Sequence, residues 1–462
     1  MLRTHHPSPS RRPRDARGIA LSGATPAAAQ AYERALAAVC AWREGAEAQL
    51  DFALREAPGF VMAHALRAYQ LICSRDPQHH RAARPVLEAA LRLRADRCER
   101  IHLAAIGAAL EDDLECMRAC LDDLLDEQPH DVLALQASQS IDYLLGDFAR
   151  MLARVESVLR RFPAELPMRG SLLAMQAFAL AENGDPARAE DAAHAALEIN
   201  PFDARAHHAM AHVFESDGRP SEGIDWMREH QGAWTHGTTF LTHGWWHTAL
   251  FHLAMHDGGG ALAIYDRYVQ VTHAPALGGL IDAASLLWRI GLRGHDVSAR
   301  AARLADAWEP HIDDGICSFG DLHAMLAFAL AGDGARARRL EDVLLHSATR
   351  PTRHGATTRE LGLPGVRALR ALMRGDTMRA IPLLASLQPR AHRLGGSHAQ
   401  RNVMHLTLLA ALDGVRLPGL GGRHDRVAGG GRRTPTSKSI PRRPLARLLD
   451  ASPHGHRQGV LI

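Results

Sequence analysis

Aromatic residues are scarce, at 5% of the 462 residues, and β-branched residues are few beside Ala, Leu and Arg. Strands draw on those two classes, so the composition excludes a β-rich fold and favours helices. Long apolar runs are lacking as well. No stretch reaches the ~18–20 residues that a membrane-spanning helix needs. The six cysteines (Cys40, Cys73, Cys98, Cys116, Cys120 and Cys317) contain no C-x-x-C pair, which leaves neither a disulfide framework nor a structural zinc knuckle. Cys116 and Cys120, four residues apart, are expected as small buried hydrophobes, and a reducing compartment, the cytoplasm, is expected. A strong charge of one sign is missing too. The net charge is +3, with most of the excess in the tails, which gives no ground for a nucleic-acid partner. What is present, 46% hydrophobic residues, suffices for a large core and excludes global disorder.

The ends differ from the middle. Residues 1–24 read as a basic, flexible N-terminal arm, with Arg3, Arg11, Arg12, Arg14 and Arg17 among Pro and Ser. Only Gly18-Ile19-Ala20-Leu21 follows, too short for the apolar core of an export signal. Residues 413–462 are rich in Gly, Arg and Pro and hold Lys438, the single lysine of the chain. They read as a low-complexity, disordered tail. The helix expected over Ser397–Leu412 has no evident partner or cap.

Between these ends, residues 25–412 repeat. Ser171 to Glu182 reads as a helix, Asn183-Gly184-Asp185-Pro186 as a break, Ala187 to Ile199 as a second helix, and Asn200-Pro201 as its stop. A small or apolar residue early in each second helix marks the register: Met117, Met151, Ala189, Gly223, Ala261, about Ala299, Ala337 and Ala380. The steps between them are 34, 38, 34, 38, 38, 38 and 43 residues. Before each mark stands a breaker: Glu111-Asp112-Asp113, Gly146-Asp147, Gly184-Asp185, Asp217-Gly218, Asp257-Gly258, Gly294-His295-Asp296, Gly332-Asp333 and Gly375-Asp376. Gly258-Gly259-Gly260 belongs to one of these turns and lacks the Lys-Ser/Thr of a phosphate loop. The fold class is all-α: an α-solenoid of tetratricopeptide-like helix pairs, forming a superhelix with a concave groove.

Histidine is abundant, with 29 in the chain. Counted from the register marks, His102, His208, His212, Glu215, His243, Trp246, Asp282, Asp321 and His323 fall on first helices, on the side that lines the groove, with His247 one residue past Trp246. His208-x-x-x-His212 places two imidazoles one turn apart on one helix face, a separation that suits one metal ion. His243-x-x-x-His247 repeats it in the next pair. Three readings stay open. One is a groove that binds a peptide, protein segment or small ligand with no cofactor. The second is a metal-dependent, hydrolase-like enzyme, with zinc or another divalent ion on His208, His212, His243 and His247 lowering the pKa of a water and Glu215 or Asp282 as base. The third is a scaffold whose groove is filled by its own hydrogen-bonded side chains. Against the second, Ala209 stands where the zinc-protease H-E-x-x-H helix carries its base. No membrane partner is implied. Gly395-Gly396-Ser397-His398-Ala399-Gln400-Arg401 reads as a helix end followed by an N-cap at Ser397, whose free amides suit an anion beside Arg401. Arg359-Glu360-Leu361-Gly362-Leu363-Pro364 reads as a turn leading into a helix.

At these residues the chain resembles the tetratricopeptide repeat protein 38 family, from about Asp15 to Leu412. The likeness is carried in order by Asp15-Ala16-Arg17, Phe60-Val61-Met62-Ala63-His64-Ala65, His208-Ala209-Met210-Ala211-His212-Val213-Phe214-Glu215, His243-Gly244-Trp245-Trp246-His247, Ile264-Tyr265-Asp266, Gly362-Leu363-Pro364, and Leu394 through Arg401. The resemblance implies a tetratricopeptide superhelix and brings no established reaction, substrate or cofactor. Where the family pattern has a Ser-His-Asp-like run, this chain has Ser138-Gln139-Ser140. It also lacks the family's final helices beyond Leu412.

Overall fold

The computed structural model describes residues 13–74, 76–271 and 276–414. Among them there is no strand, only the isolated bridges Arg14–Ala20 and Arg43–Thr238. The rest is helix on helix. Arg169–Glu182 packs along Pro186–Ile199, Ala204–Ser216 along Pro220–Glu229, and Leu277–Leu292 against Ser298–Trp308, and the first helices of neighbouring pairs pack on one another. The molecule is the all-α repeat solenoid that the spacing implies.

The breakers work as the sequence suggests. Each reversal passes through a left-handed residue: Asp112, Gly146, Gly184, Gly218, His256, Gly294, Gly332 and Gly375. Asp113, Asp147, Asp185, Asp257, Asp333 and Asp376 then cap the following helix by accepting one of its free amides, which satisfies a donor the helix cannot. The marks Met117, Met151, Ala189, Gly223, Ala261, Ala337 and Ala380 are buried at helix crossings. Gly223 shows why small residues are needed there, since a Cβ would lie 2.6 Å from the Phe251 ring. Ala299 is the exception. It is exposed, and Ala301 takes the buried place because the preceding turn runs on to Val297, where the next helix begins at Ser298. Two further pairs, Pro26–Cys40 with Ala46–Glu56 and Val61–Cys73 with Pro77–Leu91, precede the first mark.

Several local expectations need correction. Gly258-Gly259-Gly260 is the first turn of helix Gly258–Ile264. Two of its glycines sit in crowded places: a Cβ at Gly258 would meet the His295 ring at 2.1 Å and one at Gly260 the Asp257 carboxylate at 2.2 Å, while Gly259 has room. Arg359 to Pro364 is no turn either, because a π-helical stretch, Thr358–Gly362, runs directly into Leu363–Met373. Cys116 is exposed and Cys120 half-buried, so that helix face is turned toward solvent. Residues 13–24 are folded onto the first pair rather than flexible. Arg17 is buried there between Asp15 at 2.6 Å and Glu33 at 2.9 Å, and Ser22 ties its amide to Glu99 at 2.7 Å. Residues 1–12 of the expected arm and 415–462 of the expected tail lie outside the described residues.

The largest departure concerns the last helix. His398–Leu412 is capped by a Ser397–Gln400 capping box and packs against Thr377–Leu387 and Leu277–Leu292. It is also bonded across the inside of the solenoid. Trp288 donates its indole N–H to Thr407 at 2.8 Å, Arg289 donates to the Ala399 carbonyl at 2.6 Å, and Tyr143 donates to Gln400 at 2.6 Å. Its partners are therefore the preceding helix Thr377–Leu387 and the inner face of distant pairs, and no local pattern reveals the second. Early and late pairs meet elsewhere on the same seam. His354 donates its amide to Asp112 at 3.0 Å, and Arg353 pairs with Glu115 at 3.3 Å.

At the seam a glycine does two jobs. Gly146 ends helix Val132–Leu145 with φ +67°, and a Cβ there would lie 1.8 Å from the His392 carbonyl oxygen. Gly184 has φ +78° but open space around it. Gly184→Ala should therefore cost only the left-handed penalty, about 1 kcal/mol. Gly146→Ala should cost more than about 3 kcal/mol because the seam must also part. Denaturant midpoints of the two variants check this, and equal losses would show that the seam does not close as described.

Candidate functional site

Helix Ala204–Ser216 is capped at Asp203 and is buried from Ala204 to Phe214, on every side. An all-round buried helix sits inside the molecule, so its histidines cannot reach bulk water. His208 and His212, one turn apart, bring their Nε2 atoms to 3.0 Å. The next first helix, Leu241–Ala254, adds His243 and His247. The rings of His247 and His212 lie 4.7 Å apart, and those of His247 and His208 5.2 Å apart. His208, His212 and His247 each offer a nitrogen, and the three nitrogens lie within 4.8 Å of one another. Neither nitrogen of His247 has a hydrogen-bond partner, nor has Nδ1 of His208. Buried polar atoms are nearly always paired, so three unpaired nitrogens in one place are a chemical signal.

Aromatic rings wall the cluster. Trp42 and Phe240 stand 4.8 and 5.4 Å from the His208 ring, and Phe178 stands 5.0 Å from that of His212. Trp246 lies parallel to His243 at 5.0 Å, with Arg289 5.7 Å from its ring. Charged groups form the next layer. Glu182 reaches His212 Nδ1 at 3.4 Å, and Asp282 accepts from His243 Nδ1 at 2.9 Å while its Oδ1 stays unpaired. Burial sets the protonation of this layer. It pushes Glu182 up to about 7 despite Arg401 and the His398 amide, and Glu215 up to about 7 despite Arg289. It brings Arg289 down to about 10. Burial, then the neighbouring imidazoles, holds His208 and His212 well below the ordinary histidine range, and His247 behaves alike. All three are neutral near pH 7, the form in which imidazole binds metals.

Of the ten residues read from the sequence as a groove, His208, His212, His243, Trp246, His247 and Asp282 come together, with Glu215 close to Arg289. His243 stands outside the group of three whose nitrogens converge, because Asp282 engages its Nδ1 and Trp246 covers its face. Trp246 is fully buried, so it is core as much as wall. The other three are elsewhere or otherwise engaged. His102 accepts from Tyr69 at 3.1 Å and donates to Asp131 at 2.9 Å, a satisfied core histidine between early pairs. His323 donates Nδ1–H to the Phe319 carbonyl of its own helix at 2.7 Å. Asp321, on that helix, is influenced by Asp314 rather than by the cluster. The run Ser138-Gln139-Ser140 is spent on backbone carbonyls.

The anion site expected at Ser397–Arg401 exists in an unexpected form. Glu182 fills it, its carboxylate accepting from the His398 amide at 2.8 and 3.1 Å and facing Arg401 at 3.8 Å. The sequence reading missed Glu182, although it stands thirty-three residues before Glu215, at the matching end of the preceding first helix. That periodicity was the available signal. Trp42 and Arg289 carry none, being recruited from distant turns.

Asp321 gives a test of the buried polar layer. Its Oδ2 is buried without a partner, and burial, then Asp314, pushes it up to about 8. Between about pH 4 and 8 the folded chain keeps a proton that the unfolded chain releases, so stability from this group is lost as the pH rises through that window. Asp321→Asn should raise stability at pH 8.5 by on the order of 2–3 kcal/mol and leave it nearly unchanged at pH 4.5. Melting curves at both pH values decide, and an equal effect at both would contradict the assignment. Compared with known protein-family models, the chain matches none, so this geometry has to carry the functional reading by itself.

Proposed function

We propose that the chain is a helical-repeat binding protein whose interior holds one divalent transition-metal ion, zinc by preference, on His208, His212 and His247. The observation that carries this is the convergence of three buried imidazoles with both nitrogens of His247 unpaired. An unpaired buried polar atom costs about 1–3 kcal/mol, and a metal ion removes that cost where no water or side chain does. Three imidazoles suit zinc, at nitrogen–metal distances of about 2.0–2.1 Å. Glu182 supports the fit. Its carboxylate stands 3.4 Å from His212 Nδ1 while Nε2 faces the centre, the placement from which a carboxylate can orient a metal-binding histidine.

A binding role suits this better than hydrolysis, since Ala209 stands where a zinc protease has its base. Because helix His398–Leu412 lies across the inner faces of several pairs, the occupant is an ion or small ligand rather than a long peptide. On the motifs quoted above we also propose membership of the tetratricopeptide repeat protein 38 family.

The test is elemental analysis of tag-free protein, reconstituted with zinc and passed through a desalting column. About one equivalent should remain in the parent and in a His236→Ala variant, whose exposed ring is away from the centre. His247→Ala and the double variant His208→Ala/His212→Ala should retain almost none. Zinc at a hundred times its Kd should raise stability by about 3 kcal/mol in the parent and in His236→Ala, and not in the triad variants. Retention of zinc by the triad variants, or none in the parent, retires the reading.

A further inference from the structure

A second candidate site lies on the seam, built by residues that the histidine centre does not use. Where early pairs face late ones, a cavity of about 320 Å³ remains unfilled. Its floor is apolar: Ile72, Leu114, Met117, Ile141, Leu144 and Leu394. It is a half-open pocket of a size in the range of ligand sites, and such sites are lined mainly by apolar side chains with a few placed polar groups.

The rim specifies the other end of the guest. The Asp and Arg side chains that line it are Asp76, Asp112, Arg350, Arg353 and Arg393. Four are engaged: Asp76 by the Gln78 amide at 2.7 Å, Asp112 by the His354 amide, Arg353 by Glu115, and Arg393 by Glu360 at 2.6 Å. Arg350 alone has its guanidinium unpaired, on an exposed turn just ahead of helix Arg353–Thr357. A lone guanidinium above an apolar floor matches a carboxylate at the end of a hydrocarbon chain. A methylene fills close to the ~30 Å³ that a water molecule occupies in the liquid, so the space suits about ten carbons.

We infer that this seam cavity binds a medium-chain carboxylate, its chain against Met117 and Leu144 and its carboxylate on Arg350. The site is independent of metal at the histidines. Calorimetric titration of the full chain with decanoate, below its micelle concentration, tests it, with 1-decanol as the uncharged probe. Saturable one-to-one binding of decanoate is expected, at least tenfold tighter than decanol and unchanged after treatment with a chelator. Arg350→Ala, a surface change that leaves the core intact, should cost decanoate about tenfold and decanol nothing. Leu144→Trp, which fills the floor, should abolish both. If that variant does not fold, Met117→Phe serves with the same expectation of loss. Equal affinity for the two probes, no binding of either, or decanoate binding insensitive to both Arg350→Ala and the filled floor overturns the inference.

Discussion

The carboxylate of Glu182 ties together three parts of the molecule that are remote in sequence. It receives the His398 amide at the start of the last helix, faces Arg401 one turn further on, and stands 3.4 Å from His212 in the histidine centre. A carboxylate at a helix N-terminus completes hydrogen bonds that the helix cannot make for itself and is stabilised by the helix dipole. Here it is also nearly buried, and burial is the larger influence on its protonation. That balance fixes the architecture. Without Glu182 the His398 amide at the start of the last helix loses its acceptor, and without that helix Glu182 is a buried acid with only His212 beside it. Each half makes the other tolerable.

The same economy governs the rest of the interior. Arg289 is fully buried, yet it is held by Ser285, the Ala399 carbonyl and the Trp246 face, with Glu215 and Asp282 as its opposite charges. Asp142 is buried between Arg118 and Arg154, and burial still pushes it up to about 6 against both cations. Buried ion pairs of this kind contribute little net stability but are costly to break. The unpaired nitrogens of His247 stand beside the likewise unpaired Nδ1 of His208 and Oδ1 of Asp282, which concentrates unsatisfied polar atoms at the histidine centre.

The repeat was legible in the sequence because its cause is local. A left-handed residue and a capping Asp at each reversal are short-range requirements, and they recur wherever a helix pair turns back. His208 and His212 were legible for the same reason, since their juxtaposition is set by one turn of one helix. His243 and Asp282 followed from counting whole repeats. Glu182, Trp42 and the position of the last helix depend on how tightly the solenoid winds. That is the sum of many small crossing angles, and no window of residues encodes it. His102, Asp321 and His323 show the converse. They occupy positions suited to a groove, but winding has enclosed them, so a residue's place on a helix told its face and not what that face would meet.

Winding also explains why the seam cavity and the histidine centre are neighbours. Leu394 lines the cavity, and His398, four residues later, opens the helix held by Glu182. Gly395 and Gly396 make the link, both with positive φ. A Cβ at Gly395 would strike the carbonyl of Leu144, whose side chain lines the cavity floor. The chain passes there so close to the early pairs that only glycine fits. The wall of one site and the anchor of the other are thus joined by a short segment with no slack on its cavity side. Any occupant that displaced Leu144 or Leu394 would press on the start of the helix that covers the histidines, through backbone contact rather than through a chain of side chains.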